Sequence, residues 1–265
     1  MNDAPLGVFD SGIGGLTVAR ALFERLPNEA VLYFGDTARV PYGPKSPETV
    51  RRYSAEILTY LLGRGVKAVV VACNTSTAHA LDHLRAHAPV PVVGVIEPGA
   101  RAAAAASRSG RIGVIGTAGT VASGAYERAI KAVRPDATVI SAACPLFVPL
   151  VEEGWFDHPA AELIAREYLE PLRRAAVDTV VLGCTHYPLL KPLLQRVLGA
   201  GVRLIDSAEE TATEVVNELA ARGLAAAARK LEHAFVVSDD EPRFRKVGER
   251  FLGEKLKRVS VVPLG

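Results

Sequence analysis

The sequence predicts an α/β protein made of two similar α/β domains with mostly parallel sheets, related by a pseudo-twofold axis. Three observations predict it. Short β-branched runs of about four to seven residues alternate with longer Ala-, Leu- and Arg-rich stretches of helical period, the pattern of parallel strands joined by crossover helices. Motifs of the first half recur in order in the second. Gly7-Val8-Phe9-Asp10-Ser11-Gly12 is echoed by Gly113-Val114-Ile115-Gly116-Thr117-Ala118, and Val71-Ala72-Cys73-Asn74-Thr75 by Leu182-Gly183-Cys184-Thr185-His186. Val93-Gly94-Val95-Ile96 is matched less closely by Arg203-Leu204-Ile205, at a similar separation. Finally, 265 residues of which 49% are hydrophobic suffice for two cores without disulfide or metal staples.

The elements follow in order. Leu6 to Phe9, Ala30 to Phe34, Ala68 to Ala72 and Val92 to Val95 are apolar and rich in β-branched residues, and read as buried strands. Glu48 to Leu62 between them has helical period. Pro98 to Gly110 contains five consecutive alanines, a helical link between the halves. In the second half Arg111 to Ile115, Thr138 to Ser141, Thr179 to Leu182 and Arg203 to Ile205 read as strands, with Ala161 to Ala175 as a helix. Ala208 to Arg222 reads as a helix, and Ala234 to Val237 and Val259 to Val262 as strands. These residues after Asp206 exceed what a second half needs and are expected to return to the first. The expected division is a discontinuous first domain, 1–97 plus 207–265, and a second domain, 98–206.

Composition excludes several classes of function. Lys plus Arg number 31 against 29 Asp plus Glu, and no basic stripe stands out, which argues against nucleic acid as a partner. No apolar run approaches the roughly 18 residues of a membrane span, and the acidic N-terminal segment does not read as a signal peptide, so a cytoplasmic protein is expected. The three cysteines, Cys73, Cys144 and Cys184, lie far apart, which fits neither a disulfide framework nor a metal site.

Chemistry in parallel sheets concentrates past the carboxyl ends of strands. Phe9-Asp10-Ser11-Gly12-Ile13-Gly14-Gly15 is a strand running into a glycine-rich turn. It does not complete a dinucleotide fingerprint, because Thr17 stands where the third glycine belongs; Ala118 breaks the pattern in the second half, and no P-loop is present. The turn does offer close backbone approach and free N–H groups to an anionic ligand. Asp10 and Ser11 point at that ligand, or Asp10 caps the following helix.

Cys73-Asn74-Thr75 and Cys184-Thr185-His186 each place a thiol after a buried strand and before residues that open a helix. A helix N-terminus is expected to lower a thiol's pKa. Two thiols at equivalent points of two facing halves can reach a bound molecule from opposite sides. One removes a proton from carbon and the other delivers one to the opposite face, inverting a stereocentre. Glu152 follows an apolar, proline-containing stretch, so burial is expected to raise its pKa and make it a proton partner. Cys144 lacks capping residues and is read as structural. His79, His83 and His87 recur at helical spacing without a third type of ligand and read as a solvated face rather than a metal site. Pro41-Tyr42-Gly43-Pro44, beyond a strand end, is a candidate ligand loop, or a plain turn.

Taken together these motifs resemble the aspartate/glutamate racemase superfamily, and within it the glutamate racemases. The resemblance is carried by Phe9 to Val18, Gly35-Asp36-Thr37-Ala38-Arg39-Val40-Pro41-Tyr42-Gly43, Ala72 to Thr75, Ile115-Gly116-Thr117, Cys144 to Glu152 and Gly183 to Leu190, spread over nearly the whole chain. It implies cofactor-independent interconversion of L- and D-glutamate, supplying D-glutamate for peptidoglycan. Cys73 and Cys184 would be the acid/base thiols, with Asp10 assisting the first and Glu152 and His186 the second. Substrate contacts carried over are Asp10, Ser11, Tyr42, Gly43, Asn74, Thr75, Thr117, Thr185 and His186. The resemblance also implies an active site between the domains, no cofactor or metal, and a homodimer. Rival expectations are a related amino-acid racemase, such as one for aspartate, a cysteine hydrolase using Cys184 and His186, and a non-catalytic regulator.

Overall fold

The computed structural model describes residues 2–264. The order of elements is β1 (Leu6–Asp10), α1 (Leu16–Arg25), β2 (Val31–Gly35), α2 (Pro47–Gly63), β3 (Ala68–Val71), α3 (Asn74–His87), β4 (Val92–Gly94) and α4 (Ile96–Ala106). There follow β5 (Arg111–Gly116), α5 (Ala118–Ala122), α6 (Ala125–Val133), β6 (Thr138–Ala143), α7 (Phe147–Glu152), α8 (Pro159–Arg174) and β7 (Thr179–Gly183). A 3-10 turn at Tyr187–Leu190 leads into α9 (Lys191–Leu198), β8 (Arg203–Asp206), α10 (Ser207–Ala221), β9 (Ala234–Val237), α11 (Glu241–Leu252) and β10 (Val259–Val261).

The strands form two sheets, ordered β10-β9-β2-β1-β3-β4 and β6-β5-β7-β8, with every pairing parallel. Both are centred on fully covered strands. All five residues of β1 and all five of β7 are buried, as expected where helices cover both faces and the sequence reads as an unbroken apolar run. β1 lies between β2 and β3, and β5 between β6 and β7, so the two echoing glycine turns occupy equivalent places in their sheets. The four-stranded sheet uses only residues between Arg111 and Gly116, Thr138 and Ala143, Thr179 and Gly183, and Arg203 and Asp206. β9 adds to the outer edge of β2, with Leu32 opposite Ala234, and β10 adds to β9.

The alanine-rich link forms α4, whose buried face carries Ala100, Ala103 and Ala104. Small residues there let the helix sit close to its neighbours. One apolar cluster runs through both sheets, joining Leu6 and Val8 of β1 to Val114 and Val180 of the second sheet through α1, α4 and α10. Helix starts are satisfied locally: Ser46 Oγ accepts from Thr49 N before α2, and Asp206 Oδ1 from Ala208 N before α10. The packing directs the carboxyl ends of β1, β2, β3, β5 and β7 toward a shared seam.

Candidate active site

The seam is closed by contacts between the two sheets' turns. Gly14, in the turn after β1, lies so close to the turn after β7 that a Cβ on it would fall 2.2 Å from Thr185 Oγ1 and 2.4 Å from His186 Nδ1. Thr17 Oγ1 donates to the Thr185 carbonyl at 3.2 Å. On the other side Gly119 N donates to the Gly43 carbonyl at 2.9 Å, and a Cβ on Gly43 would fall 2.9 Å from Thr117 Cβ. Thr75, Thr117 and Thr120 form a hydroxyl triangle across the seam, with edges of 2.9, 3.3 and 3.0 Å.

Cys73 follows β3 and caps α3, its Sγ accepting from Ser76 N at 3.4 Å and lying 3.7 Å from Ser11 Oγ. Asp10 ends β1 and is 1% exposed; its Oδ2 accepts from Gly12 N at 3.0 Å, while Oδ1 is buried without a partner. The N-cap of α1 is Gly15, which has no side chain to cap the helix, and Asp10 sits in the turn just before it. Burial raises the Asp10 carboxyl above its usual range. Burial first, and then the Asp10 charge, push the Cys73 thiol up to about 11. This corrects the expectation of a lowered thiol: the N–H group of Ser76 offered by the helix start is outweighed by desolvation and a neighbouring carboxylate.

Cys184 is set differently. Its Sγ lies 3.9 Å from His186 Nδ1, and His186 Nε2 lies 3.0 Å from Glu152 Oε1 on α7. Burial favours the neutral imidazole, but the hydrogen bonds with Cys184 and Glu152 outweigh it and hold His186 up to about 10. Phe251 of α11 packs edge-on to the ring, centroids 5.1 Å apart. Glu152 contradicts its expectation as well. Burial would raise its carboxyl, but His186 and Arg243 lower it, with Arg243 Nη2 donating to Oε2 at 3.1 Å. One thiol therefore faces a carboxylate and the other an imidazolium.

The remaining residues lie along the seam in different roles. Asn74 Oδ1 accepts from Tyr126 OH at 2.6 Å, which leaves its buried Nδ2 as a donor without a protein partner. Tyr42 is buried beside Val50 and Cys73, and its hydroxyl donates to Asp36 rather than projecting freely. Asp36 is itself wholly buried and accepts from Arg39 Nε at 2.7 Å and Ser238 Oγ at 2.8 Å. The loop's polar offering at this point is therefore its backbone. Cys144 is buried, its Sγ 3.6 Å from the Ala142 carbonyl, and burial raises its thiol. His79 is not part of a solvated face: it is half-buried, its Nε2 3.1 Å from the Gly119 carbonyl across the seam, while His83 and His87 pack on each other. Among the described residues no group of three or more His, Cys, Asp or Glu is arranged to hold a metal. No helix among them is long and apolar enough to cross a membrane. Sequence reasoning missed Arg243, Phe251 and Tyr126, which carry no local motif.

A model of the Asp/Glu/hydantoin racemase family matches residues 13–215. The chain belongs to the Asp/Glu/hydantoin racemase family. Within its family, the glutamate racemase of Geobacter metallireducens is 56% identical over 261 residues, covering 98% of this chain and 96% of that relative. The crystal structure of a glutamate racemase isoform from Bacillus anthracis matches this racemase-family fold with a TM-score of 0.96 at 41% identity, covering 100% and 99% of the two chains. That of the Francisella tularensis glutamate racemase, in complex with D-glutamate, matches with a TM-score of 0.93 at 37% identity and covers 99% and 98%. The family match ends at residue 215, before β9, α11 and β10.

Proposed function

We propose that the protein is a glutamate racemase, interconverting L- and D-glutamate with Cys73 and Cys184 as its acid/base thiols. The observation that carries this reading is a pair of thiols at equivalent strand ends of two parallel sheets, each with its own proton partners, in a chain 56% identical to a glutamate racemase. In this reading one sulfur, as thiolate, takes the α-proton and becomes a thiol. The other gives its proton to the opposite face of the carbanion and becomes the thiolate. No net change in atoms or charge results, only inversion at the α-carbon.

The α-proton of an amino acid carboxylate is weakly acidic, so charge developing on the substrate must meet preorganised donors. In this reading the buried Asn74 Nδ2, the hydroxyls of Ser11, Thr75, Thr117 and Thr185, and the backbone at Tyr42 and Gly43 supply them. Asp10 serves the Cys73 side; the His186–Glu152 pair serves the Cys184 side. The same reading takes 1–97 plus 207–265 as one domain and 98–206 as the other, which is supported by β9 adding to β2 and β10 to β9. It also carries a cytoplasmic homodimer supplying D-glutamate for peptidoglycan.

The test is incubation with L-glutamate in D2O. Optical activity should decay as deuterium enters the α-position, and Cys73→Ala and Cys184→Ala should each lower the rate by roughly 10²-fold or more. Persistence of optical activity with the unaltered protein overturns the assignment.

A further inference from the structure

α11 belongs to the returning segment, yet it is built into the Cys184 side of the seam. Asp240 caps it, with Arg243 N donating to Asp240 Oδ1 at 3.1 Å, and that cap fixes the first turn from which Arg243 reaches out. Arg243 Nη2 meets Glu152 Oε2 at 3.1 Å and Glu153 Oε1 at 3.6 Å, both beyond its own sheet. Two turns on, Arg250 Nη1 donates to the Glu152 carbonyl at 3.3 Å, and Phe251 rests against His186. Glu152 thus divides its oxygens: Oε1 goes to His186 and Oε2 to Arg243. The arginine lies beyond residue 215, where the family match stops.

We propose that Arg243 is a positioning residue of the reaction, holding Glu152 in its ionised form and fixed orientation so that His186 stays a hydrogen-bond partner of Cys184. A carboxylate accepting from a guanidinium on one oxygen keeps its other oxygen free as an acceptor for an imidazolium. Without Arg243, the Glu152 carboxylate retains His186 as its one charged donor among the described residues and takes up a proton at higher pH, and a neutral carboxyl no longer supports a cationic imidazole beside the thiol. The ionisable groups facing this pair are Cys184 and Asp10 from the strand ends, Glu153 beside it, and Asp240, Arg243 and Arg250 from α11. Arg243 is half-exposed, which makes the effect a tuning one and sensitive to salt rather than all-or-none.

The inference rests on the racemase reading, so the experiment begins with the unaltered protein. Racemisation of L- and D-glutamate is followed by circular dichroism from pH 5 to 10, as roughly spans the titration of carboxyl, imidazole and thiol groups. If that protein racemises neither enantiomer, the functional reading fails. Given activity, Arg243→Gln should move the acidic limb of kcat/KM upward by roughly half a pH unit and lower the plateau several-fold. Because the equilibrium constant of a racemisation is one, both directions must lose kcat/KM equally. Arg243→Lys, which keeps the charge, should hold the limb near its original position, and raised salt should move the unaltered protein's limb toward that of Arg243→Gln. Thermal melting of each variant separates tuning from unfolding. A limb that stays put in Arg243→Gln, with melting unchanged, overturns the proposal; so does a limb that moves as far in Arg243→Lys.

Discussion

Gly14 in the turn after β1 lies against His186 in the turn after β7, so close that a single added methyl would sit 2.4 Å from the ring's Nδ1. The glycine is required here by an approach between two sheets rather than by backbone conformation. Neither Thr185 nor His186 can give way cheaply, because each is buried and His186 is held by Glu152 and Phe251.

Gly14→Ala should therefore displace the Thr185-His186 turn relative to Asp10 and Cys73. A misplacement on the order of 1 Å costs roughly 10²-fold in rate. The expected outcome is a folded protein, judged by far-ultraviolet circular dichroism, whose kcat/KM for glutamate falls by about that factor. Retention of full activity would mean the two turns need not be held in this relation.

Asp36 should reveal itself in substrate binding. Its carboxylate accepts from Arg39, Tyr42 and Ser238, so it ties the Tyr42-Gly43 loop to the end of β9. Asp36→Asn weakens those charge-assisted bonds, and a loss of about 1.5 kcal/mol in loop placement corresponds to roughly a tenfold rise in KM. kcat should change little, since the thiols are untouched. Tyr42→Phe should show the same split in smaller measure.

The His186 cation should leave a signature in stability. Its pKa in the folded protein, about 10, lies above the ordinary imidazole value of 6.5. Its contribution is thus fully present below the ordinary value and is lost as pH rises through the folded one. Urea midpoints of the unaltered protein and of His186→Asn should differ most below the ordinary imidazole value of 6.5 and converge toward pH ~10. A gap that widens with rising pH contradicts the cationic assignment. Glu152, lowered, works in the opposite sense: its contribution is present above the usual carboxyl range and lost as pH falls through the lowered value.

Lys67 and Glu29 form a buried ion pair at 2.6 Å, and Lys67 Nζ also donates to the carbonyls of Asn2 and Leu224 at 2.6 and 2.8 Å. Removing one member leaves the other charge buried, which typically costs about 3–5 kcal/mol. Lys67→Met should lower the melting temperature by several degrees while leaving kcat near normal below the transition. An unchanged melting curve would show that the pair's desolvation had already consumed its attraction.

What the sequence made legible follows from range. The strands could be read because apolar β-branched runs declare themselves locally, and the two cysteine turns because strand end, thiol and helix start are consecutive residues. The direction of titration could not be read. Helix position alone predicted a lowered Cys73 thiol, whereas its true surroundings include Asp10, brought alongside by β1 pairing with β3. Burial alone predicted a raised Glu152, whereas Arg243 arrives from a helix far along the chain. His79 looked like one of three surface histidines until Gly119 of α5 came to meet it. In each case the deciding neighbour is remote in sequence, and residue types near the motif carry no trace of it.

The pairing of β2 with β9 has a consequence for how the molecule is made. A ribosome delivers β5 to β8 in one stretch, so the four-stranded sheet has all its strands while the tail is still being synthesised. The six-stranded sheet must wait with β2's edge uncovered, since Leu32 finds its partner Ala234 only after the strands of the second sheet have been made. Until then Asp36 lacks Ser238 and Glu152 lacks Arg243, although both thiols have long since been made. Docking of the returning segment thus shields an exposed strand edge and brings Ser238 to Asp36 and Arg243 to Glu152 in the same event.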